Sequence, residues 1–190
     1  MNSNTSPFIS IVIPVYNEEE NVKLLSERIS EAMSDFNYEL ILVDDGSTDR
    51  TRSNIKVIDN PHLILVGLKK NYGQSLALAA GIDLAKGDYI VTLDGDLQND
   101  PRDIPMMIER IQKGDFDVVT GIRHKRKDKF LKTIPSKVAN FMVRKATKMN
   151  IKDNGCALKV FNKETAKELN LYGEMHRFIN LLAFLNGARI

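Results

Sequence analysis

Asp88–Asp96, DYIVTLDGD, decides the fold. Its first part, Asp88–Leu93, is short, apolar and β-branched, and reads as a buried strand. It ends directly on Asp94-Gly95-Asp96. Upstream, Gln74–Lys86 is rich in Ala and Leu and reads as a helix closed by Gly87. Before it come three further strand-like runs: Ser10–Tyr16 (SIVIPVY), Glu39–Val43 (ELILV) and His62–Leu68 (HLILVGL). Asn17-Glu18-Glu19-Glu20 looks like a helix start, with acids at the positive end of the dipole. Val22, Leu25, Ile29 and Met33 then recur at helical spacing. Downstream, Pro101–Lys113 carries Ile104, Met107, Ile108 and Ile111 on one face, and Asp117–Thr120 is a fifth strand. Strands alternating with helices predict an α/β fold with a mostly parallel central sheet flanked by helices.

The last third changes character. Pro135–Met149 reads as a basic amphipathic helix with Val138, Phe141, Met142 and Met149 apolar. Glu174–Asn186 reads as another, with Phe178, Leu181, Leu182 and Leu185 on its apolar face. Gly187–Ile190 looks like the opening of a further strand, so the chain is expected to be cut short there. No internal repeat or low-complexity linker divides the 190 residues, and a single domain, 1–190, is expected.

Composition narrows the function. The apolar share of 43% with 27% charged residues is that of a globular protein. No apolar run approaches the ~18 residues of a membrane span. MNSNTSPF lacks the basic start and apolar core of a secretory signal. Cys156 is the single cysteine, which rules out an internal disulfide and fits a reducing compartment; it reads as a small buried residue. Charge is uneven: Arg123–Lys148 holds ten Lys/Arg and one acid, Asp128, on an otherwise acidic chain. Such a stretch suits an anionic partner (nucleic acid, phosphate or an anionic membrane surface) or a solvated helix face.

In open α/β sheets ligands bind at the carboxyl ends of the strands. Three polar clusters fall there: Pro14-Val15-Tyr16-Asn17-Glu18, Asp44-Asp45-Gly46-Ser47 and Asp94-Gly95-Asp96. Asp and Gly favour turns in any case, but five carboxylates at strand ends exceed what turns require. Two carboxylates flanking one glycine can approach a single hard cation. Mg²⁺ is usually held by one or two carboxylates together with substrate phosphates, which points to a diphosphate-bearing substrate. Other nucleotide signatures are missing: there is no G-x-G-x-x-G and no Gly-Lys pair. His62, His124 and His176 are dispersed, and Cys156 has no partner for zinc.

IVIPVYNEEENV, LILVDDGSTDRT, NYGQSLALAAGIDLAKGDYIVTLDGDLQNDP and DNGCALKVFNK, in this order, resemble glycosyltransferase family 2. The likeness runs from about Ser10 to Ile190 and is strongest to the polyprenyl-phosphate glycosyltransferases. It implies the GT-A nucleotide-diphospho-sugar transferase fold, with a divalent metal, Mg²⁺ or Mn²⁺, on the D-x-D motif. By that resemblance Pro14, Tyr16, Asn17 and Glu18 line the nucleotide pocket and Asp45 contacts base or ribose. Asp94 and Asp96 serve ribose and metal, Asp96 being the more direct ligand, and Gln98 assists near the diphosphate. Asp153 stands on the acceptor side, and Arg123 near the acceptor phosphate, with Lys132, Ser136, His176 and Arg177 as further candidates there. Asp96, Asp153 and Arg123 are the expected catalytic residues.

The resemblance implies an inverting transfer of a hexose, with UDP-glucose the expected donor, to a polyprenyl phosphate at the cytoplasmic side of a membrane. The partners expected are the nucleoside-diphosphate sugar, the lipid phosphate and the membrane surface, with no nucleic acid. Many relatives continue past the equivalent of Ile190 with hydrophobic helices, which are absent from this chain. Two other readings remain open on sequence. One is a soluble family 2 transferase acting on a saccharide; the other is a non-catalytic nucleotide- or RNA-binding module using the basic stretch. Q-x-x-R-W, the mark of processive synthases, is absent.

Overall fold

The structure is a computed structural model describing residues 6–122 and 155–190. Arg123, Lys132, Ser136, Asp153 and the helix expected over Pro135–Met149 lie outside the described residues.

The first half alternates as expected: β1 (Phe8–Val15), α1 (Val22–Ala32), β2 (Asn37–Asp44), α2 (Thr51–Lys56), β3 (Leu63–Gly67), α3 (Gln74–Leu84) and β4 (Tyr89–Thr92). A 3₁₀ turn at Pro101–Asp103 leads into α4 (Ile104–Lys113) and then β5 (Val118–Thr120). After the undescribed residues come β6 (Lys159–Asn162), α5 (Lys163–Lys167), a 3₁₀ turn at Met175–Phe178 and α6 (Ile179–Leu185). Among the described residues the six strands lie in the order β3-β2-β1-β4-β6-β5. β1 to β4 are mutually parallel, and β6 alone runs against its neighbours β4 and β5.

Burial on both faces explains the continuous apolar character of β1 and β2. Seven of the eight residues in each are buried, as covered parallel strands require. One face packs Ile9, Ile11, Ile13 and Val15 against Val22, Leu25 and Ile29 of α1 and Ile104, Met107, Ile108 and Ile111 of α4. The other packs Val12, Ile41 and Val43 against Ala77, Leu78 and Ile82 of α3, with Ala166 of α5 and Ile179 and Ala183 of α6. Gly81 lets α3 come down onto the sheet: a Cβ there would lie 2.3 Å from Val12 Cγ1 and 2.9 Å from Val43 Cγ2.

The strands are also clamped at the end remote from Asp94. The Ser10 hydroxyl donates to Glu39 Oε1 at 2.6 Å, and the same Glu39 oxygen accepts the Lys86 amide at 2.8 Å. Ser10 Oγ in turn accepts the Gly87 amide at 2.8 Å. β1, β2 and the turn that enters β4 are thereby joined through one hydrogen-bonded network.

Several expectations need correction. The first helix begins at Val22, not in the acidic run; Glu18 instead offers its carbonyl to the amides of Asn21 and Val22. The segment 174–186 splits into a 3₁₀ turn and α6, and α6 buries Ile179, Asn180 and Ala183, while Phe178 and Leu185 are exposed. Gly187–Ile190 forms no strand, although Arg189 docks on the edge of β5: its carbonyl accepts the Asp117 and Val118 amides and its own amide donates to Asp117 Oδ2 at 2.8 Å. β6 was not anticipated. Cys156 is buried, as read.

Gly81→Ala should destabilise the protein by about 2 kcal/mol, because the added methyl overpacks Val12 and Val43. Urea denaturation of the two proteins measures this directly, and an unchanged midpoint would contradict the close packing described.

Candidate active site

β1 to β3 extend the sheet to one side, and α3 returns the chain to the other side of β1, where β4 pairs with it. The strand order therefore reverses between β1 and β4, and a crevice opens beyond their carboxyl ends. A cleft of about 410 Å³ occupies that place. Pro14, Val15, Tyr16 and Glu18 line it from the end of β1, and Asp94, Gly95 and Asp96 from the end of β4. Asp45 enters after β2, and Asn71, Gly73 and Gln74 from the approach to α3. Gly95 packs closely on the end of β1: a Cβ there would fall 2.8 Å from Val15 Cγ1. A larger side chain there would have to displace the Val15 side chain.

The two aspartates after β2 have different tasks. Asp44 is fully buried; its Oδ1 accepts the Ser47 amide at 3.0 Å and its Oδ2 pairs with Arg52 Nε. Arg52 also reaches the Leu68 carbonyl at 2.6 Å, so this pair ties α2 to the ends of β2 and β3. Asp45 lines the cleft, and its two oxygens accept the amides of Tyr72 at 2.8 Å and Gly73 at 2.9 Å. It thus folds the 71–74 segment around the cleft. Gly46, at φ +70°, permits the turn; a Cβ there would collide with Lys70 C at 2.3 Å.

Asn17 and Gln98 are not among the residues lining the cleft. Asn17, at φ 56°, accepts the Thr48 amide at 2.9 Å through Oδ1 while its own amide donates to Ser47 Oγ at 3.0 Å. Glu18 and Glu19 continue this lacing, their amides donating to Thr51 Oγ1 and Asp49 Oδ2. The loop that follows β1 is thereby fastened to the loop that follows β2. Gln98 donates its amide to Asp96 Oδ1 at 3.0 Å, which sets the turn after the D-x-D motif.

Asp94 and Asp96 supply the hard oxygen donors that Mg²⁺ or Mn²⁺ prefers, and Asp96 is exposed. Among the described residues no cluster of three His, Cys, Asp or Glu forms around them. Two carboxylates with room beside them fit a cation completed by phosphate oxygens better than a closed protein cage. Gln74, which the sequence did not single out, donates Nε2 to Asp94 Oδ1 at 2.7 Å and fixes that carboxylate on the cleft wall.

A second cleft, of about 180 Å³, adjoins the first and shares Pro14, Gln74 and Asp94 with it. Its other walls include Thr92, Cys156, Lys159, His176 and Arg177. His176 is held by Ser75, at the start of α3: its amide donates to Ser75 Oγ at 3.0 Å, and Ser75 Oγ lies 2.9 Å from its Nδ1. Burial, outweighing the nearby Glu174 and aided by the charges of Arg177 and Lys159, holds the imidazole below the ordinary histidine range. Ser75 Oγ and His176 Nδ1 share a hydrogen bond whose direction follows the imidazole tautomer.

Known proteins bear on this arrangement. Residues 10–169 match the family model described as glycosyl transferase family 2. The chain belongs to that family, and its fold is GT-A. Among its relatives, dodecaprenyl-phosphate galacturonate synthase of Rhizobium johnstonii is 46% identical over 177 residues, covering 90% of this chain and 52% of the relative. Undecaprenyl-phosphate 4-deoxy-4-formamido-L-arabinose transferase of Aeromonas hydrophila is 39% identical, covering 96% and 57%. The chain spans little more than half the length of these relatives. Solved structures share the fold. Glucosyl-3-phosphoglycerate synthase of Mycobacterium tuberculosis, with Mn²⁺, UDP and glucosyl-3-phosphoglycerate, superposes at TM-score 0.76 with 19% identity, covering 95% of this chain and 66% of that one. A mannosyltransferase of Pyrobaculum calidifontis with GDP-Man and Mn²⁺ superposes at 0.71 with 19% identity, covering 98% and 54%.

The burial of His176 should cost stability in acid. The folded-state pKa lies below the unfolded value of about 6.5, so the unfolded chain takes up its proton first. The stabilisation is whole above that value and declines as pH falls below it towards the folded pKa. Melting temperature should drop between neutral pH and about pH 5.5, and the drop should shrink in His176→Gln; equal pH profiles for the two proteins would refute a contribution from the buried imidazole.

Proposed function

We propose that this chain is the sugar-transferring domain of an inverting enzyme that moves a sugar from a nucleoside diphosphate to a polyprenyl phosphate at a membrane surface. One observation carries the reading: the D-x-D carboxylates stand at the strand-order reversal, in a cleft whose remaining walls suit a nucleotide. The names of the relatives, both polyprenyl-phosphate enzymes, support the acceptor class. They differ in the sugar, galacturonate in one and 4-deoxy-4-formamido-L-arabinose in the other, and neither name supports glucose as the donor sugar.

Base and ribose would lie between Pro14–Glu18 and the 71–74 segment that Asp45 holds in place. Asp96, with Asp94 beside it, would hold Mg²⁺ or Mn²⁺, which would act as a Lewis acid on the departing diphosphate. Gln74 keeps the Asp94 carboxylate turned along the wall between the two clefts. The sugar would project towards the second cleft, which His176 and Arg177 line and where they would meet the acceptor. Arg123, Lys132 and Ser136 are proposed to bind the acceptor phosphate, and Asp153 to orient it.

An acceptor phosphate oxygen attacks the anomeric carbon from the face opposite the diphosphate. The new C–O bond forms as the bond to the nucleoside diphosphate breaks, and that diphosphate leaves with the electron pair. With a second pKa of ~6, by analogy with phosphorylated side chains, the acceptor is largely ionised at neutral pH and needs positioning more than deprotonation. The basic stretch 123–148 would add attraction to an anionic leaflet, ~1 kcal/mol for each cation near the surface. Among the described residues no helix is long and apolar enough to cross a membrane.

UDP and GDP should bind more tightly with Mn²⁺ than without it, and Asp96→Ala should remove most of that gain, about tenfold or more in Kd. Calorimetric titration of both proteins tests the donor site. Nucleotide binding indifferent to Mn²⁺ and to the substitution would overturn the reading. Radiolabelled sugar recovered in a lipid-extractable product tests the acceptor class.

A further inference from the structure

The proposed transfer makes no use of a cavity formed by α2 and the loops after β2 and β3. It measures about 380 Å³ and shares no lining residue with either cleft. Gly46 and Ser47, next in sequence to Asp45, line it together with Arg52 and Lys56 of α2. Lys69, beyond the end of β3, brings a third cation. Arg52 is braced from behind: Nε pairs with buried Asp44 and Nη2 donates to the Leu68 carbonyl at 2.6 Å, while the side chain stays 39% exposed. Gly67 leaves it room, since a Cβ there would lie 3.1 Å from Arg52 Cζ. Asp44 offsets the charge of Arg52. Asp49, the one carboxylate among the lining residues, offsets one lysine at most, and its oxygens already accept the amides of Thr51 at 2.9 Å and Glu19 at 3.3 Å. Among the described residues neither Lys56 nor Lys69 makes an ion pair or a side-chain hydrogen bond. Arg52 and Lys56 stand four residues apart on one helix face, where like charges repel. Outside 123–154 the chain is acidic overall, so three cations around one concavity do not reflect a generally basic surface. Ser47 Oγ accepts the Asn17 amide at 3.0 Å, which leaves its hydroxyl proton for a ligand.

We propose that this cavity binds a phosphoryl group, at a site separate from both clefts. Arg52 is its fixed contact, Lys56 and Lys69 close on the ligand from two elements, and the Ser47 hydroxyl donates to it. A guanidinium held in place presents its remaining N–H groups to phosphate oxygens as a rigid fork, and ammonium groups add charge without fixed geometry. The site stands or falls independently of the nucleotide-sugar reading. Two sources supply such a group: a phosphate free in solution, or the phosphodiester headgroup of an anionic lipid.

Amide NMR with inorganic phosphate, against chloride at equal ionic strength, tests the soluble source. The Gly46, Ser47 and Ser53 amides should shift saturably with phosphate and not with chloride, and the double substitution Lys56→Met/Lys69→Met should raise the phosphate Kd about tenfold or more. Hydrogen exchange on vesicles tests the lipid source. Amides 46–56 should be protected on phosphatidylglycerol and not on phosphatidylcholine, and the double substitution should abolish that protection. Saturable phosphate shifts without vesicle protection identify a soluble ligand, and vesicle protection identifies a headgroup. Shifts that follow ionic strength alone, together with equal exchange on the two vesicles, overturn the site. So do phosphate shifts and vesicle protection that both survive the double substitution unchanged. A loss of UDP binding, with Mn²⁺ present, that matches the loss of phosphate also overturns it, since the lysines would then serve the donor cleft. If the double variant does not fold, the phosphate–chloride and vesicle comparisons on the unsubstituted chain decide alone.

Discussion

The parallel pairing of β1 with β4 is the constraint on which the rest of the molecule depends. It brings two chain segments nearly eighty residues apart in sequence, Ile9–Val12 and Tyr89–Thr92, into direct register. Their carboxyl ends then sit side by side, and Gly95 allows the turn after β4 to press against Val15. Without that approach Asp94 and Asp96 would not share a cleft with Pro14, Tyr16 and Glu18. The reversal of strand order comes from topology, and the acidic motif occupies a place that the topology has already made.

Around this crossing the polar residues divide between holding and exposing. Asp44 and Arg52 fix the ends of β2 and β3 from inside, and Asn17 with Thr48 laces the loops after β1 and β2. Asp45, Gln74 and Asp94 form a chain of another kind. Asp45 shapes the backbone that carries Gln74, and Gln74 orients Asp94. A carboxylate at the cleft surface is thus set by a hydrogen bond whose own base is set by a second carboxylate.

Much of this was legible in the sequence, for identifiable reasons. The strands β1 to β5 show as compact β-branched runs, and α1, α3 and α4 as helical patterns, because each buries a continuous face. β6 escaped notice because Lys-Val-Phe-Asn is four residues long and opens with a charge, and nothing local announces that it runs antiparallel. The face expected for α6 is only partly the buried one: Leu182 packs half-buried against the core, Phe178 and Leu185 are exposed, and Ile179 and Ala183 are the fully buried contacts with the sheet. In the site, the D-x-D motif and the end of β1 were visible as clusters of unusual polarity. Gln74 and Lys159 were not, since their positions beside Asp94 arise from the crossover and from β6, and neither residue type is remarkable alone. Asn17 shows the opposite case: it belongs to a telling motif yet spends its carboxamide on Thr48.

The Ser10–Glu39–Gly87 network has a consequence for how such a protein can change. It secures β1, β2 and the entry to β4 near the amino ends of the strands, away from the clefts at their carboxyl ends. Cohesion and recognition therefore reside at opposite poles of the same three strands. A lineage could exchange side chains that line the clefts, at positions such as Tyr16 or Arg177, while the foundation that keeps the strands in register stays untouched.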